Sequence, residues 1–278
     1  MNRRYVVDTP HATDAKAGVG DYRLLENDEP LPVLAERRGG RSSFVIVVDH
    51  AASRIPRRLG TLGLSAADRE RHIAWDIGAL AVALGVAGAL DAALIAQNYS
   101  RLVIDCNRNP DVASSIPTVG EHVDIPGNVG LSPAEVEARR REIFEPYHEH
   151  LRALLDEREA LGRRTILVAQ HTMTDVFKGS RRHMHAAVLY NRDRRFAALV
   201  LEALRADQSL EIGDNQPYFV SDETDYTVPV HAERRGLPHV EIEIRQDLVR
   251  DQRGQAEWAG RITSALRAAE AAFLGAPP

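Results

Sequence analysis

The stretch FVIVVDH, residues 44–50, decides the fold of this chain. Its first five residues are a short apolar run rich in β-branched side chains, which is typical of a strand buried in a parallel sheet. Asp49 and His50 follow directly, so polar groups stand where this strand ends. In open α/β sheets, ligands bind outside the carboxyl ends of the strands. The stretch therefore predicts an α/β domain with a functional site at that edge of its sheet.

Similar apolar runs recur along the chain and are separated by helical patterns. Further strands are predicted at 92–96, 102–104, 166–169, 187–190 and 239–244, the last with its two glutamates on one face. Helices are predicted from capping sequences at 65–68 and 132–135, and from apolar periodicity at 193–206 and 255–274. This alternation predicts a three-layer α/β fold, with a mostly parallel or mixed sheet and helices on both faces. We expect residues 1–42 to form an irregular N-terminal arm and residues 43–278 a single catalytic domain.

Composition narrows the class of protein. The net charge of the 278 residues is −5, whereas a duplex-binding protein usually carries a dominant basic stripe, so no nucleic-acid partner is expected. The short basic clusters at 139–141 and 181–182 do not form such a stripe, and we expect the first to be a solvated helix face. Cys106 is the single cysteine, which excludes an internal disulfide and fits a reducing cytoplasm. It follows apolar residues, and we expect it to be a small buried side chain rather than a nucleophile.

The N-terminus is polar, and no stretch approaches the ~20 apolar residues of a membrane span. These features predict a soluble cytoplasmic protein with no membrane partner.

Two histidines stand at equivalent positions on separate predicted strands. His50 follows the first strand, and His171 follows the strand at 166–169. Neutral imidazole is a common zinc ligand, and catalytic zinc usually takes three protein ligands and a water. Asp76, at the start of an apolar helical stretch, is the best third ligand, and Asp49 and Glu241 are weaker ones. The alternatives are that the histidines only end their strands and that Asp76 is a helix N-cap.

Arginine and asparagine follow the predicted strand at 102–104. Arg108 with Asn107 is interpreted as a clamp for a substrate anion, because the guanidinium fork matches a carboxylate and the amide adds a neutral donor. The alternative is a structural ion pair of Arg108 with Asp105 or Asp111. Arg101 is a further candidate for the same substrate-binding role.

Glu243 is a candidate general base, because a carboxylate beside a metal can take the proton of the attacking water. The alternative is a strand residue that faces solvent. No Gly-x-Ser-x-Gly, Gly-x-Gly-x-x-Gly or Gly-x-x-x-x-Gly-Lys sequence is present, which argues against a serine hydrolase elbow and against nucleotide chemistry.

These residues stand in segments that resemble the N-formylglutamate amidohydrolase family, in order from about residue 44 to 250. The matching segments are DHAASRIP at 49–56, WDIGA at 75–79, SRLVIDCNR at 100–108, PYH at 146–148, QHTMT at 170–174 and EIRQDL at 243–248. The resemblance implies hydrolysis of N-formyl-L-glutamate to formate and glutamate, a late step of histidine breakdown. It also implies a fold similar to zinc carboxypeptidases and to the succinylglutamate desuccinylase and aspartoacylase group.

The resemblance assigns roles to several residues. It implies that Asn107 and Arg108 bind a substrate carboxylate and that Glu243 activates the water. Zinc carboxypeptidases carry His-x-x-Glu at the first ligand strand, but Ser53 stands three residues after His50, so another group must complete the site. We expect that group to be Asp76. Arg245 is expected to orient Glu243 or to bind a second substrate carboxylate.

The sequence thus leads to one main hypothesis and two rivals. The main hypothesis is an amidohydrolase that uses a divalent metal, with zinc first, and that acts on a small carboxylate substrate, with N-formyl-L-glutamate first. The second is a deacylase or carboxypeptidase that acts on another N-acyl amino acid or a short peptide. The third is a non-catalytic α/β module that binds an acidic metabolite. The oligomeric state, monomer or homodimer, stays open.

Overall fold

A seven-stranded mixed sheet organises the computed structural model, which describes residues 22–275. Its strands are β1 (Val33–Glu36), β2 (Phe44–Val48), β3 (Ala93–Gln97), β6 (Ile166–Met173), β9 (Ala186–Leu189), β10 (Ile212–Asp214) and β11 (His239–Arg245). Two small hairpins stand apart from this sheet, β4–β5 (Val119–Gly120 and Val123–Asp124) and β7–β8 (Val176–Phe177 and Ser180–Arg181). The spatial order of the main sheet is β1-β3-β2-β6-β11-β9-β10.

The centre of the sheet is parallel and its two sides are not. Strands β3, β2, β6 and β11 run parallel to one another, so their carboxyl ends meet at one edge. β1 pairs antiparallel with β3, and β9 pairs antiparallel with β11. The predicted mixed α/β sheet is confirmed, and the carboxyl ends of β2, β6 and β11 come together as the FVIVVDH stretch led us to expect.

Helices cover both faces of the sheet, which makes the three predicted layers. The helices are α1 (Ala66–Arg69), α2 (Ala79–Leu90), α3 (Pro133–Arg139), α4 (Glu145–Ala160), α5 (Arg195–Arg205) and α6 (Gln252–Gly275). One buried cluster lies between the sheet and α2, α5 and α6, and a second lies between the sheet and α3 and α4. Alternate residues of β2 divide between the two clusters: Phe44, Ile46 and Val48 face one, and Val45 and Val47 face the other. Burial on both faces explains why this strand is apolar throughout.

The predicted strand at 102–104 is wrong. Ser100 begins a turn there, because its hydroxyl donates to Ala74 O (2.7 Å) and accepts from Leu102 N, and Val103 N bonds to Ser100 O. Leu102 packs in a separate small cluster, whereas Val103 and Ile104 pack in the α3–α4 cluster. The run is apolar because its side chains are buried in two different hydrophobic clusters.

The N-terminal arm is described only from residue 22. Its predicted irregular conformation is wrong at Val33–Glu36, since β1 pairs with β3 over four residues. Leu24 is fully buried in the α3–α4 cluster, so this part of the arm packs on the domain. The rest of the predicted arm, residues 1–21, lies outside the described residues.

The solvated basic face at 139–141 is also wrong at Arg139, which is fully buried. Its guanidinium donates to Val103 O (3.0 Å), Asn128 Oδ1 (2.6 Å) and Gly127 O (3.2 Å). These acceptors offset the cost of burying the charge and join α3 to two loops. Cys106 is buried, as predicted. Within residues 22–275, no helix combines the length and apolar character that a bilayer crossing requires.

Candidate active site

A cavity of about 870 Å³ opens at the carboxyl ends of β2, β6 and β11. Seven of the eight predicted site residues line it: His50, Asp76, Arg101, Asn107, Arg108, His171 and Glu243. Arg245 does not line the cavity. The sheet therefore brings together residues that lie far apart in the sequence.

His50, Asp76 and His171 form a buried cluster at the floor of the cavity. His50 follows β2 and His171 lies within β6, while Asp76 belongs to the segment before α2. That segment is tied to His50 by the Asp76 N–H, which donates to His50 O (2.9 Å). The N-cap of α2 is Gly78, so Asp76 is free of the capping role and directs its carboxylate at both histidines.

The spacing of this cluster suits a metal ion. Asp76 Oδ2 lies 2.9 Å from His171 Nδ1 and 3.4 Å from His50 Nδ1, and one ligand atom of each residue lies within 4.8 Å of the others. Ligand atoms at the usual zinc distances on a tetrahedral ion are about 3.3 Å apart. Two imidazole nitrogens and one carboxylate oxygen are also a common set of three zinc ligands.

A carboxylate stands behind each histidine. His50 Nε2 is 2.7 Å from Asp105 Oδ1, and His171 Nε2 is 3.2 Å from Asp49 Oδ2. Such partners hold the proton on Nε2 and leave the Nδ1 lone pair for a metal. The Nδ1 lone pairs of His50 and His171 then face the Asp76 carboxylate, and a positive charge is needed between these three groups.

The electrostatics of the cluster agree with this requirement. Burial alone would lower the pKa of each histidine, but the surrounding carboxylates outweigh it and hold the pKa of both His50 and His171 above the ordinary range. Burial would likewise raise the pKa of Asp49, yet its interaction with the His171 imidazole brings that pKa down to about 2. Asp49 also accepts from Thr227 Oγ1 (2.6 Å), so it is fixed behind His171.

Glu243 is buried beside this cluster, and the alternative of a solvent-facing strand residue is wrong. Its Oε1 accepts a hydrogen bond from the Tyr218 hydroxyl (2.6 Å), and its Oε2 has no hydrogen-bond partner among residues 22–275. Burial raises the pKa of Glu243 to about 7. Glu241 shares its face of β11, lines the same cavity and is buried, which raises its pKa well above the usual range.

Arg101 lines the cavity with much of its charge already balanced. Its Nε and Nη2 donate to Asp105 Oδ2 at 3.0 and 2.6 Å, and its Nη1 lies 3.6 Å from Asp76 Oδ1. The same Asp105 therefore receives both Arg101 and His50, which couples the orientation of the guanidinium to that of the imidazole.

Asn107 and Arg108 reach the cavity wall and also hold a neighbouring loop. Asn107 Oδ1 accepts from the backbone N–H groups of Tyr226 and Thr227, both at 3.0 Å, and its amide nitrogen donates to Asp225 Oδ1 (3.0 Å). Arg108 Nη1 donates to the carbonyl oxygens of Asn107 and Thr224 and lies 3.6 Å from Asp225. Arg108 is thus near Asp225 rather than paired with Asp105 or Asp111.

Arg245 is engaged elsewhere. Its Nε and Nη2 donate to Asp247 at 2.7 and 3.2 Å, and its Nη1 donates to the carbonyl oxygens of residues 182–184. It supports the segment that follows β8 rather than facing the substrate.

The sequence did not indicate three further cavity residues: Phe177, Arg182 and Tyr218. They come from the β7–β8 hairpin and from a loop before β11, where no strand or helix period marks a face. In the sequence, Arg182 stood out only as one of the two adjacent arginines at 181–182.

A second pair of histidines lies buried near the site. His148 Nδ1 is 2.9 Å from His231 Nε2, and His148 Nε2 is 2.9 Å from Cys106 O, to which it donates. Burial lowers the pKa of His148 to about 4 and that of His231 to about 3. Both rings are therefore neutral at pH 7.

Comparison with known proteins gives a family and a fold. The family model described as N-formylglutamate amidohydrolase matches residues 42–250. No curated protein matches the chain in sequence. A gene product of Agrobacterium tumefaciens of known structure is 36% identical, with 91% of this chain and 100% of that chain covered and a TM-score of 0.88.

The N-formylglutamate amidohydrolase from Ralstonia eutropha JMP134 is 19% identical, with 89% of this chain and 100% of that chain covered and a TM-score of 0.69. At that identity the likeness shows the fold.

Proposed function

Because the chain belongs to the N-formylglutamate amidohydrolase family and is a hydrolase that acts on amides, we propose that it uses a divalent metal to cleave small N-acyl amino acids, with N-formyl-L-glutamate as its first substrate. His50, Asp76 and His171 would hold the metal, and zinc fits their chemistry best. Water adds to the formyl carbon, the amide C–N bond breaks, and formate and glutamate leave.

The orientation of the two histidine rings is the observation that supports a bound metal. The Nδ1 atoms of His50 and His171 both face Asp76 Oδ2, while the Nε2 atom of each ring faces its own carboxylate. A cation bound there would accept the Nδ1 lone pairs of both imidazoles together with the carboxylate, which accounts for the shared orientation of the two rings. A bound ion supplies Lewis-acid polarisation of the amide carbonyl and acidifies the attacking water.

In this proposal, Glu243 accepts the proton of the attacking water and passes it to the leaving amine. A general base works best when its pKa lies near the working pH, and burial brings the pKa of Glu243 to about 7. The hydrogen bond from Tyr218 fixes the Oε1 edge of the carboxylate, which leaves Oε2 for the water. Arg101 stands near Asp76 and faces the cavity, where its remaining Nη1 donor suits the carbonyl oxygen under attack.

Arg108 is proposed to bind the α-carboxylate of the substrate. Its Nη1 is used by backbone carbonyls, but its guanidinium lines the cavity and its other donors remain. Asn107 contributes by holding the loop around Thr224 and Asp225 in place. The cavity of about 870 Å³ lies within the range of roughly 300–1,000 Å³ that holds drug-sized ligands. This size favours, as a second candidate, removal of acyl groups larger than formyl.

Two measurements test the proposal. Metal analysis of the purified protein is expected to find close to one equivalent, and the His171→Ala variant is expected to lose it, whereas the exposed His150→Ala control keeps it. A substrate panel of N-formyl, N-acetyl and N-succinyl amino acids is expected to rank N-formyl-L-glutamate first. A metal-free protein that adding zinc, cobalt or manganese does not activate would refute the metal, and equal rates across the panel would refute the substrate.

A further inference from the structure

Arg182 lines the cavity and has no role in the proposed hydrolysis. It follows the β7–β8 hairpin directly, and its side chain is half-buried. Its neighbour Arg181 is exposed and is not among the cavity residues. The two adjacent arginines therefore form a natural comparison.

Arg182 is the cavity arginine that forms no ion pair among residues 22–275. Arg101 is paired with Asp105 at 2.6 Å, and Arg108 lies 3.6 Å from Asp225. Within residues 22–275, no carboxylate lies within ion-pair distance of Arg182. A half-buried guanidinium without a direct ion-pair partner favours an anion from outside the protein.

The orientation of this guanidinium is fixed by aromatic rings. Arg182 lies over the ring of Phe177 at 5.2 Å and over the ring of Tyr218 at 5.3 Å, and both rings line the cavity. Its Nη1 donates to Thr174 O at 3.2 Å, which leaves its other donors for a ligand. Stacking of this kind pre-organises the planar fork, so little side-chain entropy is lost when an anion binds.

The backbone under Arg182 is held from both sides. Arg245 donates to the carbonyl oxygens of Arg182, His183 and Met184, and the Arg182 N–H donates to Asp175 O at 2.8 Å. On the hairpin, the Lys178 N–H donates to Glu121 Oε1 at 3.1 Å. A guanidinium on a supported segment is suited to recognition that depends on geometry.

From these contacts we infer that Arg182 binds the side-chain carboxylate of the substrate and makes the enzyme selective for acidic N-acyl amino acids. The inference rests on the proposed function, in which Arg108 takes the α-carboxylate. A dicarboxylate needs a second cation, and Arg182 comes from a different segment of the cavity wall. Arg245 thus acts on the second carboxylate only indirectly, as a positioning residue beneath Arg182.

The test compares side chains that differ in charge and hardly in shape. We expect wild-type kcat/KM to be about 100-fold higher for N-formyl-L-glutamate than for N-formyl-L-glutamine. In Arg182→Gln this preference should fall to near unity, because kcat/KM falls much further for N-formyl-L-glutamate than for N-formyl-L-glutamine. Arg182→Lys should recover part of the preference, because it restores the charge without the fork.

Arg181→Gln is the matched control, since it removes the adjacent charge without touching the cavity. A glutamate preference that survives Arg182→Gln, or that Arg181→Gln abolishes equally, overturns the inference.

A binding measurement distinguishes failure of the Arg182 inference from failure of the proposed function. In the Glu243→Gln background, calorimetry should show that N-formyl-L-glutamate binds more tightly than N-formyl-L-glutamine, and that Arg182→Gln removes the difference. If wild type turns over neither compound, the proposed function fails, and this binding ratio still decides the role of Arg182. Equal binding of the two compounds before the Arg182 substitution would overturn that role.

Discussion

Asp76 lies close to three other residues of the site, His50, His171 and Arg101. It accepts from the Thr172 N–H, faces two imidazoles and lies near the Arg101 guanidinium. Its carboxylate therefore balances several positive groups at once, and burial makes each of these interactions stronger than it would be in water.

Asp76→Asn is expected to weaken metal binding by more than the roughly 10–100-fold that loss of an outer-shell partner costs. The amide keeps the shape but removes the charge that the cation requires. Competition with a chromogenic zinc chelator measures the change, and the exposed Asp124→Asn provides the control. Unchanged affinity in Asp76→Asn would contradict its place among the ligands.

Glu243→Gln is expected to lower kcat by about 10²–10⁴-fold while the metal content stays the same, because the amide cannot accept the proton of the water. The base acts when deprotonated, so activity should fall as the pH drops below its pKa. That pKa is about 7 in the protein alone, and a neighbouring cation lowers it, so the acidic limb of the kcat profile should lie at or below pH 7. Activity that is retained in the variant would exclude Glu243 as the base.

The capping box at the start of α3 can be tested directly. Ser132 Oγ accepts from the Glu135 N–H, and the Glu135 carboxylate accepts from the Ser132 N–H at 2.8 Å, which completes the capping box predicted from the sequence. Ser132→Ala is expected to lower the free energy of unfolding by about 1 kcal/mol in urea titrations. Ser264→Ala, at an exposed position inside α6, is the control and should cost nothing, because alanine is the better helix former.

Local sequence patterns predicted most strands and helices, because apolar runs indicate burial and capping sequences indicate where a helix begins. The β2, β6 and β11 strands and the capped helices were found in this way, and with them the strand-end residues His50, His171 and Glu243. The run at 102–104 misled because burial in two cores and burial in a sheet produce the same apolar letters. β1 was missed because a four-residue edge strand, half exposed, has no distinctive period.

Site residues that directly follow a strand could be predicted from the sequence. Site residues that are placed by contacts between loops could not. Arg245 and Arg182 show the difference. Both are arginines near predicted strands, and only contacts between segments far apart in sequence decide that Arg182 faces the cavity while Arg245 lies beneath it. Asn107 lines the cavity as expected, but its bonds to Tyr226 and Thr227 join two segments whose pairing no local pattern reveals.

The stability of the protein should depend on pH through the buried His148–His231 pair. Burial depresses the folded-state pKa of His148 to about 4 and that of His231 to about 3, whereas the unfolded chain titrates near 6.5. Below pH 6.5 the unfolded state binds protons that the folded state excludes, so stability present above that pH is lost as the pH falls toward 4. The loss is on the order of 2 kcal/mol per histidine at pH 5.

Urea titrations between pH 7.5 and 5 measure this slope. His231→Gln keeps an N–H donor for His148 and removes one titrating group, so its slope should be shallower than that of wild type. The exposed His150→Gln is the control and should match wild type. Equal slopes in wild type and His231→Gln would contradict the contribution of the buried pair.

The edge strand β1 has a consequence for solubility. By pairing with β3 from Val33 to Glu36, it covers the outer hydrogen-bonding edge of an apolar, fully buried strand. Deletion of residues 1–42 would remove that cover, and an open apolar strand edge is a template for pairing with another chain. We expect the shortened protein to aggregate in light-scattering measurements, whereas deletion of residues 1–21, which leaves β1 in place, should not cause aggregation. Strand β1, which belongs to the predicted N-terminal arm, would then protect the sheet from pairing with the sheet of a second molecule.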